Sequence, residues 1–259
     1  MIADREMERH PTQIGADFID ALTIPQQMAV SMAVLERGGF AQDIAGQLVV
    51  RDPERPGAYW TNPWGFTWES LRASDMLHVD EQMNVLESNR DLVPSRSLEL
   101  QFGIFRKRPD INAVIHNHPI AATAWSSTGK ALKALDQTSS IFFKRQAWCS
   151  EFEDIEHLYD PALFGHTGEA LGPKAHVLWM VHHGVIVAHA SVAFMTIYAL
   201  YLERSVKLNL AHEAAGGGPE LGAAVARKMR DMLQDIFVIP DSFRGVARSI
   251  IATRPEVLA

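Results

Sequence analysis

The chain carries one cysteine, Cys149, in 259 residues. An internal disulfide is therefore impossible, as are Cys₂ and Cys₄ zinc sites, and the usage suits a reducing cytosol. Cys149 reads as a small buried residue, not as a nucleophile. Positive charge is also scarce: 24 Lys and Arg stand against 31 Asp and Glu, a formal charge of -7. The basic residues are scattered, with no stripe that could track a phosphate backbone, so no nucleic-acid partner is expected. The opening residues, MIADREMERHPTQIGADF, lack a basic start followed by an apolar block and do not read as a secretory signal. Long apolar runs are missing but for one: Val185 to Leu202 is free of formal charge over about the length of a membrane span. His189 and Ser191 break it, strong positive flanks are absent, and its apolar residues divide into a strand and a helix, so no membrane partner is expected. Internal repeats and low-complexity tracts are lacking too. What remains is ordinary globular chain, 47% hydrophobic and 21% charged, enough for one large core. We expect a polar arm over residues 1–20, a single domain over residues 21–259, and a cytoplasmic location.

Local patterns give the elements. A helical pattern starts at Ile24 and stops at Gly38-Gly39. Strands are expected at Leu48-Val49-Val50 and Ala58-Tyr59-Trp60-Thr61, separated by the turn cluster Asp52 to Gly57. Met76 to Val79 and Met83 to Leu86 read as a hairpin around Asp80-Glu81-Gln82. Pro94-Ser95 opens a helix that runs to about Arg108. A strand over Asn112 to Asn117 and a helix over Pro119 to Ser126 follow. Residues 128–175 read as irregular, with an acidic run, Glu151 to Glu156, as a solvated face. The segment from Ser191 to about Ala214 is a long helix, with Val192, Met195, Ala199, Leu202, Val206 and Leu210 on one face and a Glu203–Lys207 pair outside. Gly216-Gly217-Gly218-Pro219 ends it, and a further helix spans roughly Glu220 to Phe237. Central strands wrapped by helices imply a layered α/β domain.

Two histidines one residue apart, in Val114-Ile115-His116-Asn117-His118-Pro119, close the apolar strand. Side chains i and i+2 of a strand share a face, so His116 and His118 can grip one ion. With 11 histidines in the chain, chance alone supplies about 0.4 such pairs, so the pair is weak evidence by itself. A second apolar stretch, Val177 to Val181, runs into His182-His183-Gly184 and offers a third ligand. Three neutral imidazoles leave coordination positions open, the mark of a catalytic site. With metal–nitrogen bonds of about 2 Å, the third histidine must lie within about 7 Å of the pair.

Taken with their order and spacing over residues ~25–215, the segments Arg108 to His118 and His182-His183-Gly184-Val185, the latter followed by a helix bearing Tyr201-Leu202-Glu203-Arg204, resemble the class II aldolase/adducin family. The resemblance implies a three-layer α/β/α fold around a mainly antiparallel sheet. It also implies a homotetramer with sites at subunit interfaces, and His116, His118 and His183 as ligands of a divalent metal ion (Zn, Mn, Fe or Co). His182 falls outside the family pattern.

The departures carry information. Sugar-phosphate aldolases of the family place a Ser-Ser-Glu triplet ahead of the metal strand, its glutamate the acid/base. Here that triplet reads Ser95-Arg96-Ser97. Glu99 lies nearby but is turned about 200° around a helix, so it can substitute only in another register. The family's phosphate cradle is eroded as well: its Gly-Asn pair reads Gly46-Gln47 and its Thr-Gly turn reads Trp64-Gly65. An indole at Trp64 and a guanidinium at Arg96 suit a flat carboxylate better than a sugar phosphate. The expected substrate-binding positions are thus Gly46, Trp64, Gly65, Ser95 and Arg96, with Arg96 and Glu99 as the candidate catalytic groups.

Retro-aldol cleavage and decarboxylation share an enolate, and only the former needs a base on a hydroxyl. The leading expectation is a metal-dependent lyase that decarboxylates a hydroxylated aromatic or related acid. A second is a non-haem iron oxygenase acting on an aromatic 2-oxo acid. The stretch Gly46 to Asp80 is similar to a family branch of that kind. An aldolase of non-phosphorylated substrates and a non-enzymatic adducin-like module complete the alternatives.

Overall fold

Alternation along the central strands sends successive apolar side chains to opposite faces, and both faces are covered. The computed structural model describes residues 18–41, 43–88, 90–150, 166–235 and 238–259. Eight strands form one sheet: β1 (Gln47–Arg51), β2 (Ala58–Thr61), β3 (Leu77–Asp80), β4 (Val85–Glu87), β5 (Ala113–Asn117), β6 (Gln146–Cys149), β7 (Val177–Met180) and β8 (Gly184–His189). Their order is β4-β3-β2-β1-β5-β8-β7-β6. Every neighbouring pair is antiparallel except β6 with β7. Seven α-helices pack around it among the described residues: α1 (Ile24–Arg37), α2 (Glu99–Lys107), α3 (Ile120–Ser126), α4 (Thr167–Leu171), α5 (Val192–Ala214), α6 (Ala223–Asp235) and α7 (Val238–Thr253).

One core lies between the sheet and α1, α5 and α7. It takes Leu48 and Val50 of β1, Ala113 and Ile115 of β5, and Val185 and Val187 of β8. The residues in between, Val49, Val114, Ile186 and Ala188, point to the other face, where α2 and α4 supply Leu100, Phe102, Ile104, Phe105 and Leu171. The fold is therefore the expected three-layer α/β/α arrangement. Helix starts follow their caps: Thr23 and Gln26 form a capping box before α1, and the Ser191 side chain accepts from Phe194 N–H before α5. The uncharged stretch Val185 to Leu202 divides into β8 and the first half of α5, and among the described residues no helix is long and apolar enough to cross a membrane.

Four expectations change. The expected arm overlaps the fold: Phe18–Ala21 form a 3-10 turn in which Ile19 is buried and Asp20 pairs with Arg244 of α7 at 2.8 Å; the arm's remainder, residues 1–17, lies outside the described residues, as does the run Glu151 to Glu156. The stretch 128–175 holds β6 and α4, each too short for a period to register. A further helix not expected from the sequence, α7, comes after α6 in the chain. Its Pro240 lies in the first turn, where proline is tolerated. Finally, on α5, Leu210 is exposed, whereas Glu203 is buried. Glu203 accepts the Ala122 N–H at 3.1 Å while Lys207 holds its other oxygen at 3.2 Å. The expected surface pair is in fact a cap on the N-terminus of α3. Cys149 is half-buried on β6, and Trp68 and Trp125 are core residues.

Candidate metal centre

The centre of the sheet supplies the first ligand. His116 is buried near the end of β5, between β1 and β8, where the register pairs it with Gln47 on one side and Ile186 on the other. It shares a face with Val114, toward α2. Beyond the strand end, Asn117 Oδ1 accepts the His118 N–H at 2.6 Å, and Pro119 turns the chain into α3. The third histidine comes from the β7–β8 hairpin. Met180 pairs with Gly184, leaving Val181-His182-His183 as a three-residue loop. Such loops need one residue in the left-handed region. His182 fills that position, with φ +61°, and is exposed, which leaves His183 on the inner side.

The three rings converge. Their centroids are 4.8, 4.9 and 4.8 Å apart, and one nitrogen from each lies within 4.8 Å of the others. That satisfies the distance expected of a shared ion. The donor chemistry fits as well. His116 Nδ1 lies 3.2 Å from the Val185 carbonyl, so a proton donated there leaves Nε2 with its lone pair for a metal. His118 Nε2 is buried with no hydrogen-bond partner among the described residues. Burial, followed by the charges of His183 and His118, holds His116 well below the usual imidazole range. Burial and then His183 push His118 down to about 4, against an opposing pull from Asp43. Both rings are neutral at pH 7, the form that binds metal.

Two glycines make room for this cluster. A Cβ on Gly46, at φ +98°, would lie 2.6 Å from Asn117 Nδ2 and 2.9 Å from His116 O. A Cβ on Gly184 would lie 2.6 Å from Asn117 O and 2.7 Å from His118 Cδ2. The histidine-bearing strand end thus sits against bare backbone on both sides.

The remaining expected residues gather on adjoining segments. Asn62 Oδ1 accepts the Leu48 N–H at 2.9 Å, Pro63 bridges to Pro94, and the Trp64 N–H donates to Val93 O at 2.9 Å. Gly46, the exposed Trp64 with Gly65, and Ser95 with the exposed Arg96 are thereby held on neighbouring loops. Arg96 makes no ion pair with any described residue. Ser97 donates to Gln47 Oε1 at 2.8 Å, and Ser95 Oγ lies 2.8 Å from Ser97 Oγ. Since the Ser97 hydroxyl proton is used on Gln47, Ser95 must donate to Ser97. Glu99 stands apart: its carboxylate is bonded to Arg106 on α2, and it is not among the groups around the three imidazoles. In this arrangement the Glu99 carboxylate is engaged by Arg106, and its role as acid or base stays a proposal. Sequence reasoning missed Asn117 and the Gln47–Ser97 bond. The first had a signal, its place between the two histidines. The second requires the register of β1 against β5.

The comparisons agree with this construction. The chain is 27% identical over 254 residues (97% of it, 90% of the relative) to the 4-hydroxy-3-prenylphenylpyruvate oxygenase/4-hydroxy-3-prenylbenzoate synthase of Streptomyces roseochromogenus subsp. oscitans. To the decarboxylase NovR of Streptomyces niveus it is 26% identical over 230 residues, 88% of this chain and 84% of the relative. The L-fuculose 1-phosphate aldolase of Glaciozyma antarctica PI12 has the same fold, with a TM-score of 0.82 at 20% identity over 96% of this chain and 97% of that one. The family model for the Class II Aldolase and Adducin N-terminal domain matches residues 26–210. With the sheet order, the two-sided core and the histidine trio already in place, this match establishes that the chain belongs to the class II aldolase/adducin family.

Proposed function

We propose that the protein is a metal-dependent lyase that removes carbon dioxide from a hydroxylated aromatic or related carboxylic acid. The observation that carries this reading is the pairing of three convergent imidazoles with a hydroxyl, Ser97, where the family's aldolases carry a glutamate. His116, His118 and His183 would hold a divalent ion, which when bound would act as a Lewis acid toward a substrate oxygen. The residues around it divide the remaining work. Arg96, exposed and without an ion-pair partner among the described residues, offers a two-pronged donor to a carboxylate. Trp64 presents an exposed indole face on which an aromatic ring can stack. The hydroxyl chain Ser95 to Ser97 to Gln47 is neutral and orients the Gln47 side chain beside His116. A serine hydroxyl keeps its proton at neutral pH, so it cannot take one from a substrate alcohol as retro-aldol cleavage demands. Loss of carbon dioxide needs no such base: the carboxylate carbon–carbon bond breaks, its electron pair stays on the organic fragment, and a proton from solvent replaces it.

A second reading has its own support. The relative at 27% identity over nearly the whole chain is named as an oxygenase of a prenylated phenylpyruvate. In that reading the same histidines hold iron and an aromatic 2-oxo acid is oxidised. One experiment separates the two. Metal-loaded protein is incubated with hydroxybenzoates and with aromatic 2-oxo acids, with and without dioxygen. Anaerobic release of carbon dioxide, abolished by His118→Ala, supports the lyase. Turnover only with matching oxygen consumption replaces it with the oxygenase. Ile44, Trp64, Val93 and Ile120, all exposed, flank the site segments. Apolar surface of that kind suits burial by a second copy in a homotetramer.

A further inference from the structure

We propose that a pocket at the far end of β8, remote from the three histidines, binds a small oxyanion, a phosphate or carboxylate group. Arg108, Asp110, Arg145, Lys174, His176 and His189 line a cavity of about 360 Å³ there, about a dozen water volumes. The location is separate from the metal centre. Ala113 pairs with His189 and His116 with Ile186, so three strand steps, about 10 Å, divide the two levels. His189 also falls on the face of Val185 and Val187, opposite to that of His116.

The charges in this pocket do not balance. Arg108 is 7% exposed and grips Asp110 through two bonds of 2.8 Å, while its remaining reach goes to the Gly172 and Ala175 carbonyls. Asp110 is the only carboxylate lining the cavity among the described residues, and this pairing cancels it. Arg145 and Lys174 then stand as two cations without a carboxylate partner among the described residues, in a chain whose formal charge is -7. Arg145 is anchored by one bond to the Lys174 carbonyl at 3.2 Å, and its Nε is buried with no hydrogen-bond partner among the described residues.

The two histidines add a directed donor. His189 Nδ1 accepts the Ala190 N–H at 2.9 Å, so the neutral ring carries its proton on Nε2. His176 Nδ1 lies 2.9 Å from the Ala188 carbonyl and carries its proton there. The rings stack at 4.5 Å, with Phe194 against the far side of His189 at 4.7 Å. Burial first, and then the charges of His176 and Arg108, push His189 down to about 3, so its ring is neutral at pH 7. An oxyanion answers each feature: it accepts from Arg145, Lys174 and His189, and it offsets the excess charge.

The test is calorimetric titration of inorganic phosphate, and separately of acetate, into the full-length protein at pH 7. Saturable binding in the millimolar range or tighter is expected. Lys174→Ala alters an exposed side chain and leaves folding intact, and Arg145→Gln keeps the length of the group. Each should weaken binding about tenfold, whereas His118→Ala should not change it. Tighter phosphate than acetate identifies a phosphate group, and the reverse identifies a carboxylate. No saturable isotherm, or one that His118→Ala removes and Lys174→Ala spares, overturns the proposal and leaves the metal centre unaffected.

Discussion

Replacing Gly184 by alanine puts the whole construction of the metal centre under strain with one methyl group. The added Cβ would sit 2.6 Å from the Asn117 carbonyl oxygen and 2.7 Å from His118 Cδ2. The first neighbour is backbone in the central sheet and cannot retreat without disturbing the β5–β8 ladder. The second is a ligand ring, and it must move by roughly 0.7 Å to reach ordinary contact. Metal bonds tolerate about 0.2 Å, so the ring can satisfy the methyl or the ion, not both. Overpacking of this kind costs about 1–3 kcal/mol of stability. Displacing a ligand by this distance should lower metal affinity about 10- to 100-fold, the usual range for a disturbed supporting contact. The assay is a competition titration against a chromophoric chelator, run beside urea denaturation of the metal-free protein. Gly245→Ala is the control: its Cβ meets nothing within 4 Å on α7, so it should be neutral or stabilise by about 0.5–1 kcal/mol. If Gly184→Ala folds normally and binds metal like the parent, the histidines do not share an ion in the manner described.

Three other outcomes follow from the same geometry. His116 and His118 are held below the ordinary imidazole value when folded, so the unfolded chain takes up protons first. Stability of the metal-free protein should be full above about pH 6.5 and should decline as the pH falls toward the His118 value of about 4. Urea midpoints at pH 7, 5.5 and 4.5 measure it, and a flat profile contradicts the assignment. Glu203→Ala strips the Ala122 N–H of its acceptor and should cost about 1–3 kcal/mol, with Glu203→Gln less harmful because it retains an oxygen; thermal melts of both variants decide. Ser97→Glu restores a carboxylate beside Gln47. It should reduce carbon dioxide release and raise any retro-aldol activity toward hydroxylated substrates, and chromatography of the products distinguishes the two; unchanged decarboxylation would remove Ser97 from the site.

The parts of this molecule that could be read from its sequence are those whose signal is local. The apolar run before His116 and His118 states both the strand and the shared face, and the Ile24 and Ser191 helices announce themselves through caps and periodicity. Where two segments must meet, the local signal stops. His182 and His183 are equal candidates by composition. The β7–β8 loop separates them by placing one in the left-handed region, and a hairpin of three residues becomes visible only once Met180 is known to pair with Gly184. Glu203 and Lys207 satisfy the spacing of a surface pair, yet α3 docks on α5 and turns the glutamate into a buried cap.

Ser97 is the sharpest instance. As a sequence position it records a missing base. In the fold it donates to Gln47, which the β1–β5 register sets directly beside His116. The place where an aldolase carries a charge is therefore occupied by a chain of neutral hydrogen bonds that ends at the metal strand. In the proposed lyase, a carboxylate there would add negative charge beside the three histidines and compete with a carboxylate substrate. A hydroxyl removes that repulsion while keeping the strand neighbour oriented. Under the proposed decarboxylase reading, the loss of the base and a carboxylate substrate would be one adaptation, with Arg96 in the same turn as its positive half.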